Sequence, residues 1–203
     1  MNATAHLIAL MLTGFLLVTA NARADDKLNA EAEAGFVSLF DGKTLDGWTV
    51  MNGGKFVAAD GVIKLNGGSG WLRSNKQYTD FVLRLEVRWM KPKQDSGVFL
   101  RASEEGNNWP NRRYEVQCEN SERVAKIFGA KEERDVELAT SLLKDVGEWQ
   151  TYEIRCIGKR LEVIFNGKPV NTSDALEVRS GYIGLQGEGG MLEFRNLRIM
   201  NTK

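Results

Sequence analysis

Apolar and polar residues alternate with a period of two along most of this chain. In FVLRLEVRW (81–89), Phe81, Leu83, Leu85, Val87 and Trp89 share one face, and Val82, Arg84, Glu86 and Arg88 share the other. That period marks an extended strand with one buried side. SGVFLRAS (96–103) repeats it, setting Val98 and Leu100 opposite Phe99 and Arg101. RRYEVQCEN (112–120) sets Tyr114, Val116 and Cys118 against Glu115 and Gln117, and TYEIRCIG gathers Tyr152, Ile154 and Cys156 on one side. In LEVIFNGKPV, Asn166-Gly167 between two extended runs predicts a hairpin with a two-residue turn. GYIGLQGEG (181–189) and MLEFRNLRI (191–199) predict two further strands across a glycine turn. Asp-Gly pairs at 41–42, 46–47 and 60–61 mark turns nearer the front. One segment departs from the pattern. AKEERDVELATSLLKD (130–145) is helical in composition without a clean 3.6 period, and reads as a short helix or an irregular loop. Many short strands, three prolines and 21 glycines together predict an all-β fold, an antiparallel β-sandwich.

The N-terminal stretch follows another rule. LIALMLTGFLLVTANARA is apolar over less than a comfortable membrane span and ends in small residues at signal-peptidase spacing, Ala20-Asn21-Ala22 or Ala22-Arg23-Ala24. It predicts a cleaved signal over residues 1–24, a single β-sandwich domain over 25–203, and a periplasmic or secreted product with no membrane anchor. Charge then narrows the partners. The chain has 27 Lys and Arg against 27 Asp and Glu, and cleavage removes only Arg23 among them. A nearly neutral chain of interleaved signs offers no electrostatic footprint for nucleic acid or anionic lipid. Cleavage also removes His6, the single histidine. Ser-His-Asp and Cys-His mechanisms and imidazole-zinc sites are thereby excluded from the mature chain. Its chemistry must come from carboxylates, Arg, Lys, Tyr or an oxygen-ligated ion. Cys118 and Cys156, each on an apolar strand face, are expected as buried free thiols, with a disulfide in an oxidising compartment as the alternative if their strands are neighbours.

Several local signals have plain readings. GGSGWL (67–72) lacks the Lys-Ser/Thr and helix of a phosphate-binding loop and reads as a turn. DGKTLDG does not have EF-hand spacing. A divalent ion such as calcium, held by carboxylates and carbonyls, stays open as a cofactor, with no segment that locates it. Trp71, Trp89 and Trp149 sit beside apolar strand residues and are expected in the core. Trp109, in the loop GNNWPN, either stacks on the apolar face of a sugar ring or plugs the end of the sandwich. The polar faces are more suggestive. Arg84, Glu86 and Arg88, then Arg101, then Glu115 and Gln117, with Gln186 from GLQGEG, would form a groove of carboxylate, guanidinium and amide if their strands were neighbours. The competing reading is a solvated face of cross-strand ion pairs, each worth roughly 0.2–1 kcal/mol. Alternation does not choose between them.

Linear order adds to this. SLFDGKTLDGW, GWLRSNKQYTDFVLRLEVR, SGVFLR, YEVQ, GEWQTYEI, FNGKPV and IGLQGEGGMLEFRNLRI occur in succession. In that order they resemble the 3-keto-disaccharide hydrolase family, from about Phe36 to Met200. The resemblance implies a concanavalin-A-like jelly roll whose concave face carries the site. It also implies a carbohydrate substrate already oxidised to a ketone at C3, and action beside a sugar 3-oxidoreductase. Glu86, Arg101, Glu115, Gln117 and Gln186 would then share one concavity. Within it Glu115 is expected as the base for the C2 proton and Arg101 as the cation on the enolate oxygen. Glu86 would orient Arg101 or protonate the leaving group. Gln117 and Gln186 would bind hydroxyls, Trp109 would stack, and Arg84 would join them in substrate binding. Cleavage would proceed by elimination and hydration or by net hydrolysis, and a divalent ion would replace or assist Arg101. Two segments depart from the family pattern. RVAKIFGA and the charged run 131–145 stand where the family has a Thr-Gly-aromatic segment, and Gln150 replaces Asn in GEWQ. A non-catalytic carbohydrate-binding module on the same sandwich is the alternative. A third reading is a glycosidase that pairs Glu86 with Glu115 on unoxidised sugar.

Overall fold

Alternation in the chain becomes strands throughout the computed structural model, which describes residues 34–202. The signal segment expected at 1–24 lies outside them. The strands are β1 (Val37–Ser38), β2 (Trp48–Met51), β3 (Phe56–Ala59), β4 (Val62–Asn66) and β5 (Ser69–Tyr78). There follow β6 (Phe81–Trp89), β7 (Gly97–Ala102), β8 (Tyr114–Gln117), β9 (Ile127–Phe128) and β10 (Glu133–Arg134). After a helix α1 (Val136–Ser141) come β11 (Gln150–Ile157), β12 (Arg160–Phe165), β13 (Lys168–Ser173), β14 (Gly181–Glu188) and β15 (Met191–Asn201). They form two sheets. The first runs β10-β13-β12-β11-β6-β15-β4-β3, with β1 along β15, and the second runs β2-β5-β14-β7-β8-β9. Every pairing is antiparallel.

The inner faces of the two sheets meet in one apolar core. Leu83, Leu85, Val87, Ile154, Val163 and Phe194 come from the first sheet, and Leu72, Val98, Leu100, Val116 and Leu185 from the second. Each such side chain contributes roughly 1.5–3 kcal/mol on burial. Cys118 and Cys156 are free and buried. The Asn166-Gly167 turn has both residues at positive φ, +45° and +81°, as its two-residue hairpin requires. Asn166 Oδ1 also accepts from the Thr151 amide at 2.8 Å. The ambiguous segment resolves into α1, capped by Asp135, whose Oδ1 accepts from the Leu138 amide at 2.9 Å. The helix buries only Ala139, which explains the missing 3.6 period. Among the described residues no helix is long and apolar enough to cross a membrane.

Three sequence expectations are corrected by this topology. Arg84 and Glu86 do not share a groove with Glu115, because β6 belongs to the first sheet while β7, β8 and β14 belong to the second. Both point outward from the first sheet, into a cross-strand ion-pair lattice. Arg84 Nε donates to Glu153 Oε2 at 2.6 Å, Arg195 Nε donates to Glu86 Oε2 at 2.7 Å, and Arg88 pairs with Glu193. Trp149 is not core either. It has the outward parity of Thr151, and its ring lies between the guanidinium carbons of Arg88 at 4.5 Å and Arg195 at 4.0 Å.

Arg101 is the third correction. Gly184 pairs with Phe99 and Tyr182 with Ala102, so β7 has one residue more than β14 over that interval. The bulge places Arg101 at φ +47° and gives its outward position to Ala102, which packs with Trp71 and Phe99. Arg101 is fully buried and clasps three turns. Its Nε donates to Thr79 O, its Nη1 to Gly158 O and Val178 O, each at 2.8 Å, and its Nη2 to Asp80 Oδ1 at 2.9 Å. Four of its five N–H donors are thereby spent inside the fold, away from the face that carries Glu115.

Candidate active site

Strand register assembles the site on the outer face of the second sheet. Met51, Trp71 and Gln186 are successive partners across β2, β5 and β14. Gly97 faces Gln117 across β7 and β8. Alongside runs a second row, Arg73, Gly184, Phe99 and Glu115. Two glycines in these rows make room for large neighbours. A Cβ on Gly184 would lie 2.4 Å from Trp71 Cε3, so the Trp71 ring rests on this backbone, edge-on to Phe99 at 5.8 Å between centroids. A Cβ on Gly97 would lie 2.7 Å from Glu115 Oε1, so the Glu115 carboxylate leans across Gly97.

Charged groups collect around that carboxylate. Arg113 Nε donates to Glu115 Oε2 at 3.1 Å, and its Nη1 donates to Pro110 O at 2.9 Å. Gln117 Nε2 donates to Asp95 Oδ1 at 2.5 Å and to Glu119 Oε2 at 3.2 Å. Arg123 closes the group, reaching Asp95 Oδ2 at 2.9 Å and Glu119 Oε2 at 2.5 Å. Trp109 lies over the same face, with Nε1 donating to Gly187 O at 3.1 Å. The Arg113 guanidinium carbon lies 4.9 Å from the Phe99 centroid and 6.0 Å from that of Trp109.

Desolvation sets the proton affinities. Glu115 is only 4% exposed, and burial raises its pKa, with Arg113 opposing that rise and Asp95 adding to it. Asp95 is pushed up to about 6 by burial first, then by the charges of Glu188 and Glu119, against the pull of Arg123. Glu188 is raised by burial and then by Glu115. The result is a set of carboxylates that exchange protons nearer neutrality than exposed ones do.

Glu115, Gln117, Gln186 and Trp109, all singled out from the sequence, therefore meet on one face. Arg84, Glu86 and Arg101 do not. Sequence reasoning passed over Trp71, Arg113, Asp95, Glu119, Arg123 and Glu188. Parity held the signal for three of them: Arg113 and Glu119 flank Glu115 and Gln117 in steps of two, and Glu188 follows Gln186 in the same way. Among the described residues no group of three or more His, Cys, Asp or Glu is arranged to hold a metal ion.

Comparisons with known proteins agree with this architecture. Residues 35–200 match the family described as the 3-keto-alpha-glucoside-1,2-lyase-like domain. A crystal structure from Parabacteroides distasonis ATCC 8503, provisionally assigned as a glycosyl hydrolase, is similar with a TM-score of 0.66 and 22% identity, covering 82% of this chain and 99% of that one. The carbohydrate-binding module CBM66 from Bacillus subtilis is similar with a TM-score of 0.58 and 14% identity, covering 76% and 96% of the two chains. Alginate lyase AlgAT5, from polysaccharide lyase family 7, has a TM-score of 0.54 and 15% identity, covering 78% and 96%. None of the curated proteins matches the chain. At these identities the structural likenesses show the fold, a jelly-roll β-sandwich, and with the family match they indicate a carbohydrate-related role.

Proposed function

This chain belongs to the 3-keto-alpha-glucoside-1,2-lyase-like family, and on that premise we propose that it cleaves glycosides of a 3-keto glucose unit by elimination across C1 and C2. One observation carries the residue assignment: Glu115 is a nearly buried carboxylate whose pKa is raised and whose ionic partner, Arg113, sits on the same sheet face.

The chemistry follows from the ketone. A C3 carbonyl acidifies the proton on C2, and Glu115 takes that proton while the C–H electron pair becomes a C2–C3 enolate. Arg113, in place of Arg101, holds the enolate oxygen. The enolate then collapses: C3=O re-forms, a C1–C2 double bond appears, and the C1–O bond breaks with its electron pair on the leaving oxygen. Asp95, protonated over a range that extends to about pH 6, supplies the proton to that oxygen. Later addition of water across C1–C2 gives the free 3-keto sugar. Gln117 and Gln186 bind hydroxyls, and an oxidation of the C3 hydroxyl has to supply the substrate.

Proton NMR of the purified protein with a 3-keto disaccharide in deuterated water tests the proposal. Release of the leaving alcohol with an unsaturated or C2-deuterated 3-keto product is expected. Release with the C2 proton fully retained would sink the elimination. A second reading, a sugar-binding module without turnover, draws on the likeness to CBM66; saturable binding with no product would favour it.

A further inference from the structure

Among the buried polar atoms without a hydrogen-bond partner in the described residues, two lie on adjacent strands of the face that carries Glu115. Trp71 Nε1–H is a donor and Gln186 Oε1 an acceptor; both are sealed from solvent, and neither meets a hydrogen-bonding group among the described residues. They belong to cross-strand neighbours, since Trp71 on β5 is the register partner of Gln186 on β14. The next residues inward, Leu72 and Leu185, face the core, so Trp71 and Gln186 both face outward. The Cε3–Cζ3 edge of Trp71 rests on Gly184, which turns the opposite edge, bearing Nε1, away from that strand position. Folded proteins leave few buried polar groups unpaired. A donor and an acceptor left together suit a hydroxyl, which accepts and donates through one atom.

Trp109 lies over the same face, beside Met51 and Tyr182. It packs on the cluster of Trp71, Phe99 and Ala102, and its Nε1 bonds to the carbonyl of Gly187, the residue after Gln186. It is carried on the 103–113 loop between β7 and β8. On the β2 side, Asn52 Nδ2 reaches that loop through two 3.3 Å contacts, to Gly106 O and Asn108 O.

Resting on the elimination reading, we propose that Trp71 Nε1 and Gln186 Oε1 form a hydroxyl-reading subsite for the keto sugar, covered by Trp109 until the sugar displaces its ring. The C3 ketone cannot be the group that is read, because it accepts but does not donate. C2 must face Glu115 and the C3 oxygen Arg113. The hydroxyl read here is therefore one of those left over, at C2, C4 or C6.

Calorimetry in a Glu115→Gln background, which slows turnover, tests this with methyl 3-keto-α-glucoside and its 2-deoxy, 4-deoxy and 6-deoxy analogues. One analogue is expected to bind at least about tenfold more weakly than the parent. Adding Trp71→Phe or Gln186→Leu should weaken the parent by a similar factor and abolish the discrimination. Discrimination that survives in Gln186→Leu, or no discrimination at all, overturns the subsite while leaving the elimination intact. Binding with discrimination by a wild-type protein that shows no turnover overturns the elimination alone. Absence of any sugar binding overturns both. Trp109→Ala should accelerate sugar association several-fold in stopped flow; an unchanged rate overturns the covering role.

Discussion

Arg113, just ahead of β8, reaches two positions forward to hold Glu115, its Nε 3.1 Å from Oε2, while its guanidinium lies against the Phe99 ring. The candidate base and the candidate enolate partner are thus in contact before any substrate arrives. On the elimination mechanism the cation passes from carboxylate to substrate oxygen as the carboxylate takes its proton, so charge moves only a short way within a desolvated setting.

Replacing Glu115 by Gln should lower kcat/KM on a 3-keto glucoside by about 10²–10⁴-fold, the range for loss of a general base. Sugar binding should persist. Glu86→Gln, on the opposite sheet, should leave kcat/KM within about twofold and change stability by no more than roughly 1 kcal/mol. Steady-state release of the leaving alcohol and a denaturant titration check both variants.

Arg113→Met removes the cation and should lower kcat by about 10²–10³-fold, as loss of an oxyanion donor does. Arg113 also opposes the upward shift of Glu115. Without it the base protonates more readily, and the acid limb of the pH–rate profile should move to higher pH.

Asp95 links activity and stability to pH in the same direction. Its carboxyl rises from 3.8 to about 6, so as proton donor it should give kcat/KM an alkaline limb above about pH 6 that Asp95→Asn lacks. In folding, the native state holds this proton more tightly than the unfolded chain does. Stability from the group is therefore full below pH 3.8 and falls as pH rises through about 6. The Tm of Asp95→Asn relative to wild type should accordingly increase from pH 4 to pH 7 in a thermal-shift series.

Arg101→Met should be a stability variant and not a catalytic one. It strands Asp80 and three turn carbonyls that the guanidinium now satisfies. A loss of about 3 kcal/mol is expected, at the low end for a broken buried pair because Asp80 is 31% exposed. The denaturant midpoint should fall while kcat/KM at low temperature stays near wild type.

Gly97→Ala tests positioning. The new methyl would lie 2.7 Å from Glu115 Oε1 and 2.8 Å from its Cγ, so the Glu115 side chain must swing aside from Cγ outward while no backbone atom is among the nearest contacts. Tm should change little, while kcat falls by about 10²-fold from misplacement of the base. A fall in Tm comparable to that of Arg101→Met would show that Gly97 serves packing instead.

Strand parity made much of this legible and also marks where it stopped. RRYEVQCEN placed Glu115 and Gln117 on one face, and the same count of two extends to Arg113 and Glu119. Parity says nothing about which sheet a strand joins, so the polar face of β6 was grouped with that of β8 although the core separates them. It also assumes an unbroken register. The bulge in β7 inserts one residue, and Arg101 passes from the outer face to the end of the sandwich with no mark in the alternation. Asp95 and Arg123 lie outside the strands, where periodicity has no reach. Trp71 was expected to be buried and is, but in a small aromatic cluster on the outer face and not in the main core.

The two outer faces also differ in how their charges meet water. On the first sheet Arg155, which bonds both Glu153 and Glu162, keeps 49% of its side chain exposed. On the second, the Glu115 side chain is 5% exposed beneath Arg113. Exposed pairs fade as ions screen them over about 8 Å at physiological strength, and buried pairs largely escape that screening. Ionic strength therefore acts as a control on the scaffold that hardly reaches the reaction centre, and an optimum found in dilute buffer should carry over to brine.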